Sequence, residues 1–428
     1  MELIYLDNYR GFSNCMIELK DVNFLVGENS TGKSSVMAAI KLLYDFNFWL
    51  NHNFNSDPIQ LGYYKDIVSR SSNSCDYFTL GFAQQTVNKK TTKTTSVLMK
   101  FTNNFEAPAI SEFVFYINGE KVIAKVCEKQ IRYVTQDTEP IADLHSLLST
   151  LTKDIKNEFP KKFKTINVKQ PKSIYLCISL ISKDIFSQKM EFNFFDFIQF
   201  HHVSWIAPIR TKPKSIYEGY RRVFSPEGEH APLLLNDMIG TTSKKSKITH
   251  QSDFEKSLNQ FGESSGLYDM IKTKKYGKSK TSPFEVQITL NESDFNISNV
   301  GCGVSQILPI LIDSAFIPNG FFAIQQPEVH LHPKAQAALG EYIYDLVATK
   351  NKKFLIETHS DYIVDRFRLS VKKASQKKKE AQILFFKRTK FGNSISSIGI
   401  NKDGKFSGES LDDYRSFFIK EQMDLLDL

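Results

Sequence analysis

The sequence predicts an α/β protein organised around a parallel sheet. Three observations carry this. In the last third, short apolar runs alternate with helix-length segments. A glycine-rich loop at residues 27–34 sits between an apolar run and a helical pattern. The middle of the chain is strand-rich instead, so the expected architecture is one α/β domain interrupted by a large mixed α+β insertion.

The elements follow in order. Residues 3–6 and 16–19 read as short strands around a turn at 10–14, and 23–26 is an apolar strand ended by Gly27. Val36, Ile40, Leu43 and Tyr44 recur near helical spacing, which predicts a helix over about 33–46. Strands are expected at 77–82, 96–101, 112–117 and 121–126, with Asn118–Gly119 marking a hairpin between the last two. Residues 140–160 and 180–200 look helical, and 205–208 looks like a strand. The stretch 240–285 is rich in Lys, Ser, Thr and Gly, which predicts a mobile connection. Helices are then expected at 305–315, 333–349 and 362–370, and strands at 321–324, 353–356 and 381–387.

Composition bounds the partners. The chain has 428 residues, more than one hydrophobic core usually serves, so two lobes or an inserted domain are expected. Hydrophobic residues make up 41%, which fits a folded chain, yet no apolar run is long enough to span a bilayer. The first residues lack a signal-peptide pattern, so a cytoplasmic protein without membrane contact is expected. Five scattered cysteines without a CxxC pair argue for reduced thiols rather than a disulfide framework or zinc knuckle. The net charge of +8 comes largely from lysine runs at 161–164, 244–247, 272–280 and 372–379. Such runs suit a phosphate backbone, so DNA is a possible partner, and they equally suit solvated loops.

The sharpest motif is Gly27-Glu28-Asn29-Ser30-Thr31-Gly32-Lys33-Ser34, a full GxxxxGK[ST] loop followed by Ser35. Glycines let the backbone N–H groups of Asn29, Ser30, Thr31 and Gly32 curl towards phosphates, and the helix start adds its positive dipole end. Lys33 suits the β- and γ-phosphates, and the Ser34 hydroxyl suits Mg²⁺. ATP and Mg²⁺ are therefore the expected ligands.

Three later segments complete a pattern. They are residues 299–306, containing Gly301, Gly303 and Ser305; residues 321–333, containing Gln325, Gln326 and Glu328; and residues 354–360, containing His359. With the phosphate loop, this order resembles the SMC/ABC-like P-loop ATPases of the OLD-related group. Within that group it is similar to the ATPase subunits of Septu-type anti-phage defence systems. The resemblance covers roughly 1–70 and 295–428, with a weaker extension to 205–210 and 226–235. It implies an ABC/SMC-type ATPase head formed by residues 1–75 and 291–428, with 76–290 as the inserted lobe. It implies that Arg10 lies near the nucleotide, and that Gln60 is a candidate Q-loop residue. Gly301, Gly303 and Ser305 would form a signature loop that contacts the γ-phosphate held by a second copy. Residues 321–324 would be the Walker B strand, with Gln325 at its Mg²⁺ position, and His359 would be the switch histidine. The implied partners are a second copy or higher homo-oligomer, and a separate nuclease effector, of HNH type in a Septu-like system.

The pattern also departs from that group. A Walker B strand of this type ends in two acids, and here both positions are amides, Gln325 and Gln326. A neutral amide orients water but takes no proton. The residues leave three readings open: ATP binding with weak or no hydrolysis, substitution by Glu328, or a glutamine placed by design to trap ATP. The segment after His359 shows no Toprim, HNH or GxSxG-like signature. Any nuclease activity is therefore expected on a partner. His330 and His332 form an HxH pair, read here as part of a loop and helix entry rather than a metal site.

Overall fold

The computed structural model describes residues 2–70, 76–88, 91–169, 173–186, 198, 200–218, 224–239, 249–279, 281–316, 320–374, 379–408 and 410–416. The chain divides into two compact units. The first comprises Met1–Lys20, Glu28–His202 and Phe386–Ser396; the second comprises Asp21–Gly27, Val203–Phe385 and Ser397–Leu428.

The first unit is built on an eight-stranded antiparallel sheet. Its strand order is Cys15–Leu19, Glu2–Asp7, Tyr77–Asn88, Thr91–Asn104, Ala107–Ile117, Glu120–Val126, Gln130–Asp137 and Lys164–Asn167. The expected Asn118–Gly119 hairpin is present, with φ of 48° and 106° at its two turn residues. That pair of positive φ values matches the twist of the flanking strands. The preceding hairpin turns on Phe105 and Glu106, with φ of 50° and 63°, residues that carry no turn signal in the sequence. The Leu144–Lys156 helix starts at Asp143, whose carboxylate accepts from the Ser146 N–H. Leu144, Leu147, Leu148, Leu151 and Ile155 fall on one helical face and pack with Leu98, Val114 and Tyr116 of the sheet. Each buried leucine contributes about 2 kcal/mol. Of the helix expected over 180–200, the structure has Ile174–Phe186; residues 187–197 lie outside the described residues.

The second unit carries the α/β rhythm. A seven-stranded sheet runs in the order Val203–Ile206, Phe321–Gln325, Lys353–Glu357, Val22–Gly27, Ala381–Thr389, Gly392–Ile400 and Phe406–Ser407. The first four strands are parallel, as the strand–helix alternation predicts. Phe24, Phe322, Ile324, Phe354 and Ile356 are fully buried between helices. The Pro333–Lys350 and Asp361–Lys373 helices touch closely at Gly340, where an added Cβ would lie 2.3 Å from the Ile363 carbonyl oxygen.

One expectation needs correction. Part of the stretch 240–285 is regular structure: a Thr249–Ser265 helix, then the strands Met270–Lys275 and Phe284–Leu290, which join Ser293–Asn296 in a three-stranded antiparallel sheet. Phe254, Leu258 and Phe261 recur on one face and are buried in the unit's core, while the polar face dominates the composition. Residues 240–248 lie outside the described residues. Among the described residues, no helix is long and apolar enough to cross a membrane.

Candidate nucleotide site

From Glu28 onwards the phosphate loop belongs to the first unit. Gly32 caps the Lys33–Tyr44 helix in the left-handed region, φ 93°, with no side-chain cap and no acidic residue in the first turn. A Cβ there would approach the Phe12 ring to 2.6 Å, so both the conformation and the space require glycine. An uncapped helix start with a tight glycine turn is the arrangement that receives an anion. The Lys33 ammonium is buried and donates to the Glu28 carbonyl at 2.8 Å, and the Thr31 hydroxyl donates to the same oxygen at 2.7 Å. Asn29, Ser30 and Ser34 are exposed. Arg10 has φ 45°; its Nε donates to the Ser35 Oγ at 3.0 Å and a terminal nitrogen donates to the Leu61 carbonyl at 3.2 Å. The structure thus ties Arg10 to the phosphate-loop helix and to the loop that carries the exposed Gln60. Arg388 donates to the Ser30 carbonyl at 3.3 Å, a basic group over the loop that its distance along the chain hides. This loop fits a nucleotide triphosphate with its cation.

In the second unit, the ends of three parallel strands gather Gln325, Gln326, Glu328 and the 357–360 turn. Gln325 is bracketed: its Oε1 accepts from the Trp205 indole at 3.1 Å and its Nε2 donates to Glu357 at 3.1 Å. Gln326 adopts φ 42°, and its N–H donates to the Glu357 carbonyl at 2.7 Å. Glu328 is committed through both oxygens, accepting from the Thr358 hydroxyl at 2.8 Å and the His359 N–H at 2.7 Å. It anchors the turn that holds the half-buried His359. Gln336 braces the same turn, donating to the Leu331 carbonyl and accepting from the Ser360 hydroxyl at 2.6 Å.

Sequence reasoning passed over Arg210. It is buried, donates to the Gln325 carbonyl at 3.2 Å, and its own carbonyl accepts from Gln306 of the Cys302–Phe316 helix at 3.4 Å. Its Nε and one terminal nitrogen are buried without a partner. Burial pushes its pKa down to about 10, opposed by the Glu328 charge. The signal available was a single basic residue leaving an apolar strand. Glu357 was missed because only strand register brings it beside Gln325.

The Gly301–Ser305 segment opens the Cys302–Phe316 helix. Gly301 and Cys302 are exposed, and a Cβ at Gly301 would meet nothing. Gly303 is packed against the His330 carbonyl, and the buried Ser305 hydroxyl donates to the Cys302 carbonyl at 2.8 Å. The surface this loop offers is therefore Gly301–Cys302. His330 lies in the loop with φ 65°, and His332 caps the Pro333–Lys350 helix, its Nδ1 accepting from Ala335 at 3.3 Å. Among the described residues, no three His, Cys, Asp or Glu side chains converge on a point. Mg²⁺ often takes one or two carboxylates plus waters and phosphates, so this does not count against it. Of the lysine runs, Lys272 pairs with Asp294 at 3.0 Å and Lys274 with Glu285 at 3.5 Å.

A family model described as an AAA ATPase domain matches residues 1–364. This chain belongs to the AAA ATPase domain family. No curated protein matches it. Among solved structures, it is similar to the SMC head domain from Thermotoga maritima, at 12% identity, covering 92% of this chain and 97% of that one, with a TM-score of 0.40. It is also similar to an Smc head bound to the C-terminal winged-helix domain of ScpA, at 11% identity, 94% and 98% coverage, and TM-score 0.47. A Pyrococcus furiosus Smc head with an extended coiled coil matches at 11% identity, 99% and 100% coverage, and TM-score 0.44.

Proposed function

We propose that this AAA-family chain is an ATP-binding regulatory subunit of a bacterial anti-phage defence complex. In this reading it is an ABC/SMC-type head, and two copies sandwich ATP and so control a separate nuclease effector. The observation that carries nucleotide binding is the 27–35 loop, with its left-handed Gly32, uncapped helix start and buried Lys33. Lys33 binds the terminal phosphates once it leaves the Glu28 carbonyl. Ser34 holds Mg²⁺, which offsets phosphate charge. Exposed Gly301 and Cys302 offer backbone N–H groups at a helix start to the second copy.

Weak turnover follows from the second unit. Gln325 and Gln326 carry no basic group, and Glu328 spends both oxygens on the His359 turn rather than on a water. ATP then acts as a clamp more than as a fuel. The defence role rests on the resemblance in motif order.

The test measures ATP affinity and turnover on one preparation with Mg²⁺, with Lys33→Ala as control. Tight binding without turnover, lost in the variant, supports the clamp. Rapid turnover overturns it. The net charge of +8 favours a second reading, an SMC-like DNA-repair or DNA-tethering ATPase. Turnover stimulated by duplex DNA would select that reading, and co-purification of a small nuclease would select the first.

A further inference from the structure

We propose that Arg388 is a positioning residue of the phosphate loop. From the outside of the loop it holds the Ser30–Thr31 peptide so that the Thr31 N–H faces the phosphates. This role rests on the reading of the chain as a nucleotide-binding protein, and every residue it uses lies in the first unit.

Arg388 stands 358 positions after Ser30 in the chain, yet the segment Phe386–Ser396 belongs to the same unit as the loop. That segment holds the turn between the Ala381–Thr389 and Gly392–Ile400 strands. Three contacts dock it on the loop. The Phe386 ring meets the Phe12 ring edge-on, at 6.2 Å between centroids, and Phe12 fills the space that a Cβ at Gly32 would need. The Asn393 N–H donates to the Gly11 carbonyl at 2.8 Å, and its side chain lies against both Gly11 and Gly32. Arg388 itself donates to the Ser30 carbonyl at 3.3 Å. The turn is closed by bonds of its own: the Thr389 hydroxyl donates to the Gly392 carbonyl at 3.0 Å and accepts from the Phe391 N–H at 3.2 Å. A self-closed hairpin therefore carries the arginine to the loop.

The direction of the Arg388 bond decides its role. A trans peptide points its C=O and its N–H to opposite sides, and the Ser30–Thr31 bond is trans. A guanidinium on the Ser30 oxygen thus leaves the Thr31 N–H pointing away from Arg388. Ser30 has φ 61°, a left-handed value that a residue with a Cβ keeps only where its surroundings fix it. Thr31 is buried, and its N–H donates to nothing among the described residues. A buried donor without a partner is costly, and a phosphate oxygen arriving as Lys33 leaves the Glu28 carbonyl would satisfy it. Arg388 is exposed and makes no ion pair among the described residues, so no carboxylate cancels its charge there. A cation on the carbonyl side polarises the peptide and strengthens the N–H on the other side as a donor.

The experiment uses the full chain in four versions: parent, Arg388→Ala, Arg388→Lys, and Lys390→Ala, which removes an exposed charge from the same turn. One readout is affinity for a fluorescent ATP analogue with Mg²⁺. The other is the Thr31 amide resonance in NMR spectra of chain labelled at threonine nitrogen, assigned by its loss in Thr31→Ser. Arg388→Ala is expected to weaken ATP binding about tenfold. It should also shift the Thr31 amide in the nucleotide-free chain and leave the unfolding midpoint near the parent's. Arg388→Lys keeps a charged donor and is expected to return affinity to within about threefold of the parent. Lys390→Ala is expected to change affinity by less than about twofold. An unmoved Thr31 resonance or an unchanged affinity in Arg388→Ala overturns the proposal. An equal loss in Lys390→Ala also overturns it, because net charge would then account for the effect. If Arg388→Ala does not fold, Arg388→Met, which keeps the aliphatic stem without the donor, is read by the same outcomes. A parent that binds no ATP analogue brings down the nucleotide reading itself, whereas a binding parent with an unaffected Arg388→Ala brings down only the role of Arg388.

Discussion

The phosphate loop and the strand-end network differ in how they are made. In the first unit, Glu28, Thr31, Gly32 and Lys33 lie within six consecutive residues, and their hydrogen bonds close locally. In the second unit, Trp205, Arg210, Gln306, Gln325, Glu328 and Glu357 come from segments spread over more than a hundred residues, brought together by parallel register and helix packing. A local site fails residue by residue. A register-built site fails when its scaffold shifts, even where no substitution touches it.

The largest effect expected tests the local side. Lys33→Ala should lower ATP affinity by about a hundredfold or more, from loss of a charge-assisted contact with the phosphates. Its unfolding midpoint should stay near the parent's, because the hydrogen bond it gives up to the Glu28 carbonyl closes within the loop itself. A large loss of stability there would blur the distinction drawn above.

Acid should act on the first unit through His52, whose ring nitrogen accepts from the Ile174 N–H at 3.0 Å. Burial lowers its pKa from 6.5 to about 4. The unfolded chain takes up a proton that the folded chain refuses, so this group's stabilisation is present above pH 6.5 and lost as pH falls towards 4. The loss is about 3 kcal/mol. Urea unfolding across that window should show it, and His52→Gln should flatten the slope.

Gly340→Ala tests the scaffold of the second unit. An added methyl would meet the Ile363 backbone 2.3 Å away and push apart the two helices that flank the His359 turn. A loss of about 2 to 3 kcal/mol is expected by thermal or urea unfolding. A neutral result would mean that helix packing does not limit the network.

Within the network, Glu328→Gln should cost about 2 kcal/mol, because one amide end must face a buried donor. Thr358→Val should cost a similar amount, about 2 kcal/mol, because its hydroxyl both donates to Glu328 and accepts from the buried Ser360 N–H at 3.0 Å. A much smaller cost at Thr358 would mean that the turn rests mainly on the bond between Glu328 and the His359 N–H. Double-mutant analysis by urea unfolding separates them.

The strands of the last third were legible because each is a contiguous apolar run, and Phe321–Gln325 and Lys353–Glu357 fall where the pattern places them. The Asn118–Gly119 hairpin was legible because its turn chemistry is local, while the Phe105–Glu106 turn was not, since neither residue favours positive φ. The Thr249–Ser265 helix was hidden by its polar face; three apolar residues at helical spacing carry its packing. Ser305 was legible as part of a glycine-serine loop, but its burial and its bond to Cys302 were not.

By itself the sequence determined the α/β alternation and the phosphate loop. Periodicity and a glycine-lysine-serine order act over a few residues, where backbone sterics and one helix dipole suffice. Only the tertiary structure decided which carboxylate faces Gln325, that Glu328 is bound at both oxygens, and that Arg210 is buried beside them. Those facts depend on strand register and on burial, and register is settled by the packing of the whole sheet rather than by any single segment.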